Sequence, residues 1–302
     1  MKDRRNRLMQ HRESDKGAVV VTGASSGIGL ACAFKLDQAG YRVFAGVREE
    51  SDAQRLRHQA SPLLTPVLLD VTSEALIAAM VSQIAEAVDD TGLVGLVNNA
   101  AIAVPAPLEV IPLSELRREF EVNVIGQVAV TQALLPLLRK ARGRIINVGS
   151  VASHMPLPFL GALSASKSAL EALNATLRME LLPWGIHVIL ITPAMVRTSG
   201  NIKLQHDSEE ILRTIPEEDA RHYATPFRSF LEAFSKQEAT GSPPEVVADI
   251  ILQAMIERTP RTEYPVGRGS RLWPLLARLL PTRVLDRVRV QVLGLAYQPE
   301  LP

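Results

Sequence analysis

From residue 18 onward, short β-branched runs alternate with longer stretches of helical periodicity. The runs at Ala18–Thr22, Arg42–Val47, Thr65–Leu69, Leu93–Val97, Arg144–Val148, His187–Ile191 and Glu263–Val266 are mostly continuous in apolar residues rather than alternating. That is the pattern of strands buried on both faces of a parallel sheet. Between them, apolar residues recur at helical spacing near 27–39, 51–60, 73–90, 113–140, 162–182 and 243–257. Strand and helix in this order require right-handed crossovers and put helices on both sheet faces. The pattern predicts an α/β fold with a doubly wound parallel sheet of about seven strands.

Two segments break the alternation. Residues 200–240 are too long for a simple connection and carry their own helical face, with Phe227, Phe230, Leu231 and Phe234 at i, i+3, i+4 and i+7. This insert is expected either to cover a substrate or to pack on the core, with Leu204, Ile211 and Leu212 as further apolar positions. Residues 270–295 read as two helices broken at Pro281. No Gly- or Ser-rich linker divides the chain. The expected organisation is therefore one domain over 18–267, a basic tail at 1–17 and a helical C-terminal extension at 268–302.

Composition narrows the function. In 302 residues, 33 Lys and Arg balance 32 Asp and Glu, so there is no general basic charge to attract nucleic acid. A single cysteine, Cys32, excludes an internal disulfide framework and a Cys-rich metal site, and no metal is expected. The ends are basic: +3 over residues 1–17 and +5 over 258–302, which against a total of +1 leaves −7 for the body. Solvated tails or contact with an anionic surface both fit this distribution, and Trp273, Leu275, Leu276, Leu279 and Leu280 offer an apolar stripe for membrane or protein. The first 17 residues hold no apolar stretch of signal-peptide type. The apolar runs near Val188–Ile191 and Leu275–Leu280 are far shorter than a bilayer span, and the expected location is cytoplasmic.

Candidate chemistry begins where the first strand ends. Thr22-Gly23-Ala24-Ser25-Ser26-Gly27-Ile28-Gly29 follows a strand and opens a helix. Gly23 allows a tight turn, Gly27 lets backbone approach a phosphate, and Gly29 allows close packing of helix and strand. The helix N-terminus then faces the pyrophosphate with free N–H groups and a positive dipole end. At the end of the second strand Arg48 suits a ribose 2′-phosphate, favouring NADP(H) over NAD(H). Glu49 and Glu50 would reverse that preference if either pointed inward.

With these motifs in order, the chain resembles the short-chain dehydrogenase/reductase family over about residues 17–267. The resemblance rests on Thr22–Gly29, Asp70-Val71, Asn98-Asn99-Ala100-Ala101, Asn123, Ser150, Lys167 and the segment Pro193-Ala194-Met195-Val196-Arg197-Thr198. Ala101 and Ala194 stand where the family usually has glycine. The resemblance implies a Rossmann-like fold. It also implies a dinucleotide held by Gly23, Ser25, Ser26, Gly27, Ile28, Gly29, Arg48, Asp70, Val71, Asn99, Lys167, Pro193 and Thr198. A homodimer or homotetramer paired through helices 113–140 and 162–182 would follow.

The family's chemistry rests on Asn, Ser, Tyr and Lys, and here the catalytic candidates are Asn123, Ser150 and Lys167. Four residues before Lys167, on the same helix face, the expected tyrosine is Leu163. Leucine has no ionisable proton, so the usual acid/base is absent. Ser150, a water near Lys167, His154, Ser164 or a repositioned Tyr223 are the alternative proton sources. Three readings follow: an altered oxidoreductase on a lipophilic carbonyl or alcohol, a silent dinucleotide-binding regulator or subunit, or a non-redox enzyme on the same scaffold.

Overall fold

The computed structural model describes residues 16–197, 217–293 and 295. Seven strands, β1 (Ala18–Val21), β2 (Arg42–Val47), β3 (Leu64–Leu68), β4 (Leu93–Asn98), β5 (Arg144–Val148), β6 (His187–Pro193) and β7 (Glu263–Val266), form one sheet. Every pairing is parallel and the order is β3-β2-β1-β4-β5-β6-β7. The doubly wound Rossmann-like expectation is met, and the strand order reverses between β1 and β4. Such a reversal opens a crevice at the carboxyl ends of the strands, where ligands bind in open α/β sheets.

The continuous apolar runs are explained by burial on both sides. Val19, Val21, Ala45 and Ile146 face a cluster built with α1 (Gly27–Gln38) and Val247 and Ile251 of the later helix Pro244–Ile256. Val20, Phe44, Leu96 and Ile145 face the other cluster, with Met80 and Ile84 of α3 (Glu74–Val88) and Leu134 and Leu138 of a third helix. The short α2 (Glu50–Gln59) links β2 to β3.

Periodicity alone reads 113–140 as one helix, and the structure refines it. α4 (Leu113–Phe120) and α5 (Gly126–Ala141) are joined by a π turn at Glu121–Ile125 that carries Asn123. At Gly126 the chain crosses Val71 so closely that a Cβ would lie 2.7 Å from the Val71 carbonyl oxygen. The whole stretch Leu113–Ala141 is long and apolar enough to cross a membrane by length and composition. Its apolarity serves the core, where Val130, Leu134 and Leu138 are fully buried.

α6 (Gly161–Leu181) follows β5, and α7 (Glu217–Ala239) lies in the expected insert. Its aromatic face packs inward: Phe227 and Phe230 are fully buried with Leu160 and Leu293, with Leu163 alongside. Leu204, Ile211 and Leu212 lie outside the described residues, as does most of the N-terminal tail. After α8 (Pro244–Ile256) and β7 come α9 (Leu272–Leu279) and α10 (Thr282–Val292), separated at Pro281. On α9, Leu272, Leu275 and Leu279 are exposed among the described residues, and Trp273, Leu276 and the capping Leu280 are half-buried.

A buried polar ladder crosses beneath the site. The Asn98 amide donates to Thr131 Oγ1 and Asn147 Oδ1, both at 2.8 Å, and Asn147 donates to Asn174 Oδ1 at 2.9 Å. Removing its middle rung leaves buried partners unpaired, which costs about 1–3 kcal/mol beyond the cavity itself. Asn147→Ala is therefore expected to lower unfolding free energy by about 2–4 kcal/mol in urea titrations. An unchanged midpoint would show that the ladder does not hold β4, β5 and α6 together.

Candidate active site

The glycine turn is built by contacts between the ends of β1 and β4. Thr22 Oγ1 accepts the N–H groups of Asn99 and Ala100, both at 2.9 Å. The Asn99 amide donates back to the carbonyls of Thr22 and Gly23 at 3.0 and 3.1 Å. Gly23 has φ +64°, in the left-handed region, and a Cβ there would sit 2.8 Å from Ala100 Cα. At Gly29 a Cβ would lie 2.2 Å from the Gly23 carbonyl oxygen, so this glycine allows α1 to pack on the turn itself.

These contacts shape a cleft of about 490 Å³. Gly23, Ser25, Ser26, Gly27, Ile28, Arg48, Asp70, Val71 and Asn99 all line it; Gly29 sits behind the turn. The α1 N-cap, Ser26, makes no side-chain cap bond, which leaves first-turn N–H groups for a ligand. Glu49 and Glu50 are absent from the lining, and Glu50 pairs with Arg57 at 2.6 Å. Arg48 is thus the cation at the mouth beyond β2. Burial pushes the Asp70 carboxyl up, but bonds from Thr72 and the Arg48 charge hold it below its ordinary value.

Sequence reasoning missed several cleft residues. Arg118, Thr72 and Ile102 line it, and Arg55 donates to the Ser25 carbonyl at 2.7 Å. Arg118 reaches the cleft from α4 through tertiary packing, and no local motif marks it. Thr72 lies two positions beyond Asp70, where an Asx-type turn was the available signal.

The catalytic candidates gather at the adjoining strand ends. Lys167, on α6, is buried and donates Nζ to the Val148 carbonyl at 2.8 Å, two residues before Ser150. Burial pulls its ammonium down to about 8, with the Glu119 charge opposing. Asn123 is fully buried; its amide exchanges two 2.8 Å bonds with the main chain of Ile102 and donates to Ser166 Oγ at 3.1 Å. Ser150 caps a 3-10 turn, its Oγ accepting the Ala152 N–H at 3.1 Å. Pro193 closes β6 beside Val266. Thr198 lies outside the described residues.

Leu163 lies one turn before Lys167 and packs with Phe227, Phe230 and Leu160. The alternative proton sources are placed differently from one another. Both His154 ring nitrogens are engaged, Nδ1 with Ser153 Oγ at 2.9 Å and Nε2 with Glu171 at 3.2 Å. Tyr223 donates to Glu109. The buried Ser164 Oγ has no hydrogen-bond partner among the described residues. One unforeseen group joins the cluster: Glu119 is fully buried, and burial raises its carboxyl to about 7.

Fold and crevice define an open α/β protein with a phosphate-type turn and a buried lysine at the carboxyl edge of its sheet. The model for short chain dehydrogenases matches residues 17–209, and the chain belongs to that family, an oxidoreductase class. It is 36% identical over 285 residues to estradiol 17-beta-dehydrogenase 2 of Mus musculus, covering 91% of this chain and 74% of that one. It is 34% identical to an NADPH-dependent 3-dehydrocapnine reductase of Ornithobacterium rhinotracheale, covering 89% and 94%. Among solved structures, a short chain dehydrogenase from Burkholderia cenocepacia in complex with NADP superposes with a TM-score of 0.69 at 24% identity, covering 91% and 98%.

The raised Glu119 carboxyl has a consequence for folding. Unfolded, it ionises near 4.5; folded, near 7. The folded state therefore holds the proton more tightly, and this stabilisation is complete below about 4.5 and lost as pH rises through 7. Relative to Glu119→Gln, the native protein should lose about 3 kcal/mol of unfolding free energy across that window, at ~1.4 kcal/mol per pH unit. Urea titrations at several pH values measure it, and parallel pH curves for the two proteins would refute it.

Proposed function

We propose that the protein is an NADP(H)-dependent oxidoreductase of lipophilic carbonyls or alcohols with an altered proton source. The observation that carries this reading is Lys167, a buried amine fixed on the Val148 carbonyl two residues before Ser150, at the end of β5 in the same sheet whose β1 end carries the glycine turn. A chain with no chemistry to perform has little reason to keep an ammonium in so dry a place.

The residues present fit a dinucleotide. Uncapped N–H groups at Gly27 and Ile28 suit the pyrophosphate, Asp70 and Val71 the adenine region, and Arg48 a 2′-phosphate, with Arg55 close by on Ser25. When bound, the nicotinamide supplies or accepts hydride. Ser150 orients and polarises the substrate oxygen. Lys167 positions the ribose and holds a mobile proton. Phe227, Phe230 and Leu163 exclude water from the place beyond Lys167, which favours a greasy substrate. The relatives named for estradiol and for NADPH support both choices. A face of α5 and α6 with Leu135, Leu170, Leu173 and Leu177 around a cavity of about 240 Å³ supports assembly into a homo-oligomer.

One observation favours the silent reading: the position expected for a phenol is held by Leu163, which packs on the apolar cluster of Leu160, Phe227 and Phe230. Turnover separates the two. Oxidation of NADPH with a panel of hydrophobic ketones is expected to be slow and to rise about 10²–10⁴-fold in Leu163→Tyr, the usual worth of a positioned acid/base. No turnover in either protein would overturn the enzymatic reading.

Cofactor choice has its own test. Arg48→Ala should weaken NADPH binding at least about tenfold, ~1.4 kcal/mol, and leave NADH unchanged in calorimetry. Equal losses for both would remove the 2′-phosphate role.

A further inference from the structure

The outer face of α9 has a chemistry that the cleft does not use. Leu272, Leu275 and Leu279 are 54%, 52% and 70% exposed, and at i, i+3 and i+7 they share one arc of the helix. Arg271 and Arg278, also seven apart, run along one edge of that arc and are exposed. Trp273, Leu276 and Leu280 take the other side and are half-buried. On α10, Leu285 turns inward while Arg283, Val284 and Arg287 face out. Over residues 267–293 six arginines stand against a single acid, Asp286, which is paired with Arg289 at 3.2 Å. The other five, Arg268, Arg271, Arg278, Arg283 and Arg287, are exposed and make no ion pair among the described residues.

We propose that α9 and α10 form a docking surface for an anionic phospholipid bilayer. The leucine arc enters the boundary between headgroups and acyl chains, and the arginines meet lipid phosphates. The proposal stands apart from the oxidoreductase reading and needs no chemistry at the cleft. One pair of arginines is already set in a concave place. Arg261 and Arg271, with Gln253 and Tyr264, line a cavity of about 190 Å³ between α8, β7 and the start of α9. Guanidinium forks match the oxygens of a phosphate, and long arginine stems let the charge sit at headgroup depth above a buried apolar face. Leu272, the first residue of the arc, follows Arg271 directly.

Charge complementarity selects the bilayer over a protein partner. An interfacial helix asks for hydrocarbon on one arc, cations along its edge and no acid, and α9 supplies that set. A protein interface would surround its apolar centre with donors and acceptors of both signs. Around the leucine arc the exposed side chains are arginines, which only donate. The rest of the chain gives the docking a direction. Residues 18–257 carry −7, so a negative surface attracts the C-terminal end and repels the body. α10 leads on to Leu293, which closes the apolar cluster beside Leu163. The docked segment is thus continuous with the wall next to the candidate active site.

The test sediments the full chain with vesicles of phosphatidylcholine alone or of phosphatidylcholine mixed with phosphatidylglycerol. The mixed vesicles should carry the protein down, the neutral ones should not, and added salt should weaken the binding. Arg271→Gln combined with Arg278→Gln should weaken it at least about tenfold, at about fivefold per cation lost near the surface. Leu275→Ser combined with Leu279→Ser should weaken it at least about tenfold as well. All four side chains are exposed, so the unfolding midpoint of each variant should match the parent. In Trp184→Phe, Trp273 is the one tryptophan left, and nitroxide-labelled lipids in the mixed vesicles should quench its fluorescence. Equal binding to both kinds of vesicle, or an unquenched Trp273, overturns the proposal, as does binding that survives both double variants. Self-association without vesicle binding, abolished by the leucine double variant in sedimentation velocity, gives the face to a second copy and overturns it too. None of these readouts involves turnover, so failure here leaves the oxidoreductase reading standing.

Discussion

Two main-chain N–H groups converge on one hydroxyl where β1 and β4 part company. The Thr22 hydroxyl takes the donors of both Asn99 and Ala100, and Asn99 returns its amide to the Thr22 and Gly23 carbonyls. This clasp fixes the reversal point of the sheet, and the rest of the site is hung from it. The glycine turn keeps its left-handed Gly23 because Ala100 leaves no room for a Cβ there. α1 reaches the cleft because Gly29 packs on the turn. A shift of an ångström at the clasp would displace phosphate donors and the lysine pocket together, since β4 carries Asn98 into the ladder that also holds β5 and α6.

The sequence makes the scaffold legible for a simple reason. Strands buried on both faces must be apolar at nearly every position, and the seven runs were written in residues that serve no other purpose. The Asn-Asn and Ser-to-Lys spacings also survive in the text, because each sits at the end of a strand or on one face of a helix. The wide turn at Glu121–Ile125 was hidden. Helical periodicity changes little when one turn holds an extra residue, although that turn is where Asn123 enters the core. Arg118 and Arg55 were hidden too, because each reaches the site across tertiary space from a face that reads as solvated. Glu119 was the least visible, a glutamate within Arg-Arg-Glu-Phe-Glu that reads as one more surface charge until its burial is known.

Burial decides how α7 behaves as well. Its aromatic face fits either a substrate lid or a core-facing helix by periodicity, and in the structure Phe159 packs its ring against both Phe227 and Phe230, at 5.2 and 5.3 Å between centroids. Such tilted pairs add about 0.5–1.5 kcal/mol each beyond the area they bury. Leu293, from the chain beyond α10, closes the same cluster. The C-terminal segment is therefore part of the apolar wall beside Leu163.

That wall changes what a leucine means at position 163. A tyrosine there would bring a hydroxyl into an apolar cluster and demand a partner for it, whereas leucine completes the packing and leaves nothing unsatisfied. One turn away Lys167 is itself buried, and desolvation is what draws its ammonium toward neutrality. Leu163 and Lys167 in this sense answer to one constraint, because the burial that would leave a hydroxyl without a partner at one position also draws the ammonium toward neutrality one turn further on.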